Sequence, residues 1–105
     1  MKQIDSTKFE IEVLRSSVPV IVDFYTEQCQ PCRMMSPLLD EIESERAAEL
    51  KIVKIDAAAE AEFTASFRVI SVPTLILFRD GQRVAQMTGA RGKKDLLRWI
   101  DDSLR

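Results

Sequence analysis

The chain contains no histidine, and only two of its 105 residues are cysteine. The first absence removes Cys–His nucleophile pairs and histidine-ligated metal sites together. The second leaves half of a four-ligand structural zinc site, so a metal would need a second chain or carboxylate help. Neither sign of charge dominates: 15 basic residues stand against 17 acidic ones, a net charge of −2. A basic excess of the kind that recruits nucleic acid or an anionic membrane is missing. No apolar run is long enough to cross a bilayer. The first ten residues, MKQIDSTKFE, lack the apolar core of a signal peptide, which predicts a cytoplasmic protein. There is no repeat, no linker and no low-complexity tract. With 46% apolar and 30% charged residues, residues 1–105 read as one ordinary globular domain with a single core.

What chemistry the chain does carry is concentrated in residues 18–37, VPVIVDFYTEQCQPCRMMSP. Val18 to Tyr25 reads as a buried strand, and Thr26 to Gln28 as a polar break. Cys29-Gln30-Pro31-Cys32 follows, at the entry to a helix placed at about Cys32 to Ala48. Two cysteines at this spacing can close a small disulfide ring and reopen it. A helix N-terminus presents free N–H groups and the positive end of the helix dipole. That environment favours thiolate over thiol and makes the first cysteine a nucleophile near neutral pH. A reducing cytosol argues against a purely structural staple. Redox chemistry is the preferred reading, against an intersubunit metal site or an inactive relic. It requires no resident cofactor and no metal.

The rest of the chain places this motif in an alternating pattern. Residues 2–5 suggest a short edge strand. Thr7-Lys8-Phe9-Glu10 has the form of a capping box, predicting a helix from Thr7 with Phe9, Val13 and Leu14 on its inner face. Val20, Ile21, Val22 and Phe24 are apolar on both faces of their strand, as in a central strand covered by helices, with Asp23 inside the run. Met35, Leu38, Leu39 and Ile42 form the stripe of the following helix, and Pro37 inside it predicts a kink. Residues 51–55 read as a parallel strand reached by a right-handed crossover. Residues 58–67 read as helix and Leu75 to Phe78 as strand. Asp80-Gly81 marks a hairpin, with Arg83 to Met87 returning. A last helix at about 93–103 carries Leu96, Leu97, Ile100 and the only tryptophan, Trp99. The sum is an α/β chain, a central mixed β-sheet flanked by helices on both faces.

A strand feeding Cys-x-x-Cys at a helix start is thioredoxin-like. Here it is joined by VDFY before the motif, Pro37 five residues after Cys32, SVPT at 71–74, the Asp80-Gly81 hairpin and Thr88-Gly89-Ala90. In order and spacing these resemble the thioredoxin family over essentially the whole chain. The resemblance implies the thioredoxin fold and reduction of protein disulfides, with a thioredoxin reductase as electron donor and a monomer as the working form. It makes Cys29 the attacking cysteine and Cys32 the resolving one. Asp23 matches the buried acid that accepts the proton of Cys32, its pKa raised by burial, and Lys54 matches the lysine beside it, with which an ion pair is the plainer reading. Pro73 matches a proline whose preceding bond is cis and faces the disulfide. Val72, Thr74, Gly89 and Ala90 match the groove that takes an extended chain of the substrate, and Gln30 and Pro31 lie on the surface that partners touch.

The sequence also departs from the family. Members usually carry Trp-Cys-Gly-Pro-Cys, whereas this chain has Gln28-Cys29-Gln30-Pro31-Cys32. Tyr25 stands where many members have tryptophan. These changes keep the dithiol and alter the surface around it. They motivate two other readings: a binding module with the same fold, and a redox protein specialised for particular partners.

Overall fold

A computed structural model describes residues 1–105. Five strands form one sheet in the order β1-β3-β2-β4-β5. They are β1 (Lys2–Gln3), β2 (Val20–Tyr25), β3 (Lys51–Asp56), β4 (Thr74–Arg79) and β5 (Gln82–Thr88). The helices are α1 (Gln30–Glu45), α2 (Ala61–Ser66) and α3 (Lys93–Leu104). The strand that precedes the cysteines is the middle one. It runs parallel to β3 and antiparallel to β4, so the sheet is mixed, as the sequence pattern predicts.

Because successive side chains of a strand point to opposite faces, the apolar run of β2 serves two cores. Val20, Val22 and Phe24 pack with Phe9, Val13, Val53, Ile55, Ile76 and Phe78 on one face. Phe63 and Phe67 close that layer, with Phe9 and Phe63 ring centroids 5.0 Å apart. Ile21 joins Met35, Leu39, Ile42, Leu75, Leu77, Leu96 and Ile100 on the other, under α1 and α3. Asp23 has the parity of Ile21, so this period places its carboxylate on the α1 face.

Three local expectations change. The helix expected from Thr7 is a 3₁₀ turn, Ser6–Lys8, followed by a π-helical turn, Glu10–Leu14. Its cap is Asp5, whose carboxylate accepts the Thr7 N–H at 2.9 Å. Glu10 does not reach back in a capping box but pairs with Arg15 at 3.0 Å. Phe9 and Val13 are buried, whereas Leu14 is 37% exposed. Helix α1 begins at Gln30, two residues earlier than expected, because Cys29 itself supplies the cap. It continues as one helix past Pro37, which lies on its solvent side. Helix α2 is shorter than predicted, because the Asp56 carboxylate accepts the N–H groups of Ala58 and Ala59 and holds that stretch in a turn. The hairpin is as read: Asp80 and Gly81 have φ of 52° and 74°, the paired left-handed residues of a tight two-residue turn.

Candidate active site at the start of the first long helix

Strand β2 delivers the chain to its C-terminal end in the middle of the sheet, and a four-residue break, Thr26 to Cys29, turns it into α1. The Cys29 N–H donates to the Thr26 carbonyl at 3.3 Å, and the Arg33 N–H to the Cys29 carbonyl at 3.1 Å. Pro31 sits in the first turn, where a missing N–H leaves no bond unmade. Cys29 and Cys32 are disulfide-bonded, their Cα atoms 5.2 Å apart. The Cys32 N–H donates to Cys29 Sγ at 3.1 Å. A sulfur at this cap position is stabilised as an anion by the helix N-terminus once the disulfide is open. The two cysteines differ in access: Cys29 is half-buried, whereas Cys32 is only 4% exposed.

Behind Cys32 lies a cavity of about 200 Å³ lined by Asp23, Tyr25, Thr26, Glu27, Cys32, Arg33, Ser36 and Lys54. Asp23 is 3% exposed, and its Oδ1 has no hydrogen-bond partner. Burial pushes its carboxyl up to about 7, and the nearby Lys54 charge opposes that rise. A carboxylate that titrates near neutrality, sharing a cavity with a buried thiol, is suited to accept a proton from it.

Lys54 is the Cα partner of Asp23 across the β2–β3 ladder. It forms no ion pair with it: no nitrogen–oxygen approach within 4 Å involves Lys54. Its ammonium lies instead over the Tyr25 ring, 5.2 Å from the centroid. The plainer reading of Asp23, an ion pair with Lys54, is thus not what forms: the lysine is held on an aromatic face. Tyr25 was legible as a neighbour of this site, since it stands two residues after Asp23 on the same strand face.

The Val72–Pro73 peptide bond is cis, as the resemblance implies. The Gly89 N–H donates to the Pro73 carbonyl at 2.8 Å, which brings the 71–74 and 88–91 segments together. Gly89 has φ of 93°, a conformation that suits glycine. Val72 is half-buried and Ala90 exposed. Thr74 differs: it is 1% exposed, and its hydroxyl donates to the Ser71 carbonyl at 2.7 Å. Its side chain braces the turn before the strand and does not open to solvent. Gln28, Gln30 and Pro31 are exposed beside Cys29. One contact was not foreseen. The Arg91 N–H donates to the thioether of Met35 at 3.2 Å, joining the 88–91 segment to α1.

The family model for thioredoxin matches residues 1–102. The chain is 45% identical to a thioredoxin of Mycobacterium tuberculosis (strain ATCC 25618 / H37Rv) over 100 residues, covering 95% of this chain and 86% of the relative. It is 41% identical to thioredoxin 1 of Synechococcus elongatus over 96 residues, 91% and 90% of the two chains. A bifunctional thioredoxin reductase/thioredoxin of Mycobacterium leprae matches at 42% over 100 residues, 95% of this chain and 22% of that longer protein. With the fold, the bonded Cys29–Cys32 pair and these relatives in agreement, the reading as a binding module gives way: the chain belongs to the thioredoxin family and is a thiol–disulfide oxidoreductase that reduces protein disulfides.

Proposed function

We propose that Cys29 is the attacking cysteine, Cys32 the resolving one and Asp23 the proton acceptor between them. The unequal access of the two sulfurs carries the assignment: Cys29 reaches solvent, while Cys32 shares the inner cavity with Asp23. Reduced Cys29, as thiolate, attacks one sulfur of a substrate disulfide and expels the other as a thiolate. This leaves a Cys29–substrate mixed disulfide. Cys32 gives its proton to the Asp23 carboxylate, and its sulfur attacks Cys29 Sγ. The second substrate thiolate leaves, and the Cys29–Cys32 disulfide closes. Two electrons have passed to the substrate, and a reductant must return them.

The substrate's extended chain lies between Val72-Pro73 and Gly89-Ala90, with Gln30 and Pro31 at its edge and Thr74 supporting the turn. Residues 1–105 act as one domain, as a monomer in the cytoplasm, and electrons come from a thioredoxin reductase. The fused reductase of the M. leprae relative supports that donor, and no helix is long and apolar enough to cross a membrane.

Reduction of insulin disulfides, coupled to a thioredoxin reductase and run beside a dithiothreitol-driven control, tests the reading. Turnover in both arms is expected. Turnover with dithiothreitol alone would replace the general reductase with a dedicated one. Silence in both would favour a binding module over a disulfide reductase.

A further inference from the structure

The cation–π contact between Lys54 and Tyr25 has a consequence for the proton acceptor. Four charged or titratable groups share the cavity with Asp23: Glu27 from the loop, Cys32 and Arg33 from α1, and Lys54 from β3, with the Tyr25 phenol beside them. Strand β4 faces Asp23 with Leu75 and adds no charge. Among these, Lys54 is the cation in register with Asp23 on the adjacent strand. A flexible ammonium there ordinarily closes on a carboxylate, yet here it rests 5.2 Å from the Tyr25 centroid and Asp23 Oδ1 stays unpartnered. A ring face attracts an ammonium within about 6 Å by roughly 0.5–2 kcal/mol, more when water is excluded.

We propose that Tyr25 is a positioning residue of the disulfide exchange: its ring holds the Lys54 ammonium aside, leaving the Asp23 carboxylate free to take the Cys32 proton. The inference rests on Asp23 being the proton acceptor. A carboxylate clamped by a lysine is a weaker base and ionises at lower pH. With the ring gone, Lys54 closes on Asp23, and the resolving step slows at neutral pH while persisting to lower pH. For a general base whose pKa falls by about two units, the loss near pH 7 is about fivefold, since the gain in ionised fraction offsets part of the lost basicity.

The test is the titration of the Asp23 carboxyl carbon by NMR in the disulfide form, where the cysteines do not titrate. In Tyr25→Leu it should move to lower pH, and in Tyr25→Phe, which keeps the ring, it should stay. In a Lys54→Gln background, Tyr25→Leu should move it no further. A wild-type titration in Tyr25→Leu would overturn the proposal. So would a shift that persists with Lys54→Gln, because water entering the cavity would then be its cause. Should Tyr25→Leu fail to fold, the Lys54 Hε resonances of the wild type decide: ring-current displacement is expected, and random-coil positions would overturn the contact. Release of mixed disulfide in Asp23→Asn is measured separately. An unchanged rate there would remove the proton-acceptor role without altering the titration result.

Discussion

Met35 and Arg91 are joined across the site: the Arg91 backbone N–H donates to the Met35 thioether at 3.2 Å. Met35 lies one turn into α1 from Cys32 and is 1% exposed. Arg91 follows the Gly89-Ala90 wall of the proposed groove. The contact therefore fixes that wall relative to the helix that carries the cysteines. Met35→Leu keeps the volume and removes the acceptor. A partly buried N–H left unpaired costs about 1 kcal/mol. Faster hydrogen exchange at Arg91 is expected, together with a KM for a disulfide peptide raised about threefold to tenfold and little change in kcat. An unchanged Arg91 exchange rate would mean that the thioether does not hold this loop.

The cysteine assignment predicts an asymmetric trap. Cys32→Ser should accumulate mixed disulfides with protein substrates, and Cys29→Ser should not. Alkylation of the reduced wild type near neutral pH should modify Cys29 first, read by peptide mass mapping. Preferential labelling of Cys32 would reverse the roles.

Asp23 should also leave a mark on stability. Its folded carboxyl is raised to about 7 from an ordinary 3.8 by burial. Between those values the native state holds a proton that the unfolded chain has released. Stability therefore falls as pH rises from about 4 to 7, and the full cost of the buried charge is present above 7. Asp23→Asn removes that cost. It should stabilise the oxidised protein by about 2–4 kcal/mol at pH 8 and by little at pH 4. Denaturant titrations at the two pH values check this, and an equal gain at both would show that the charge is not responsible. The same variant should slow release of the mixed disulfide more than the first attack.

The only tryptophan should be a poor reporter of redox state. Trp99 lies two residues before Asp101, whose carboxylate binds Arg46 at 2.8 Å at the far end of α1. At 1.5 Å per residue that end is about 25 Å from Cys29. Reduction should barely change Trp99 emission in an active protein. Gln28→Trp should restore a redox-dependent signal. It should also raise reductase turnover about tenfold, since an aromatic contact at an interface is worth about 1–2 kcal/mol. Flat turnover would shift attention to Gln30 as the determinant of partner choice.

Elements with strong local signals were legible in the sequence. The two-faced apolar run of β2, the Met35–Leu39–Ile42 stripe, the Asp80-Gly81 turn and the cysteines at a helix start each follow from side-chain period, turn chemistry or capping. Local competition among polar groups was harder to read. Asp5 took the cap that Thr7 and Glu10 were expected to form, and Asp56 held a turn where helix was expected. Both are short acidic side chains that bond nearby N–H groups, and sequence alone does not say which polar neighbour wins.

The candidate site divides the same way. The sequence by itself determined that a dithiol stands at a helix N-terminus behind a strand containing one acid, because strand parity and cysteine spacing are local. Tertiary structure alone decided how the groups around that acid are arranged. Strand register set Lys54 opposite Asp23, and packing then carried its ammonium to the Tyr25 ring. It also turned Thr74 inward to Ser71 and Met35 to Arg91. The Lys54–Tyr25 and Met35–Arg91 pairings join distant segments, and the Thr74 bond, though local, depends on which way packing turns the side chain; no pattern along the chain specifies these orientations.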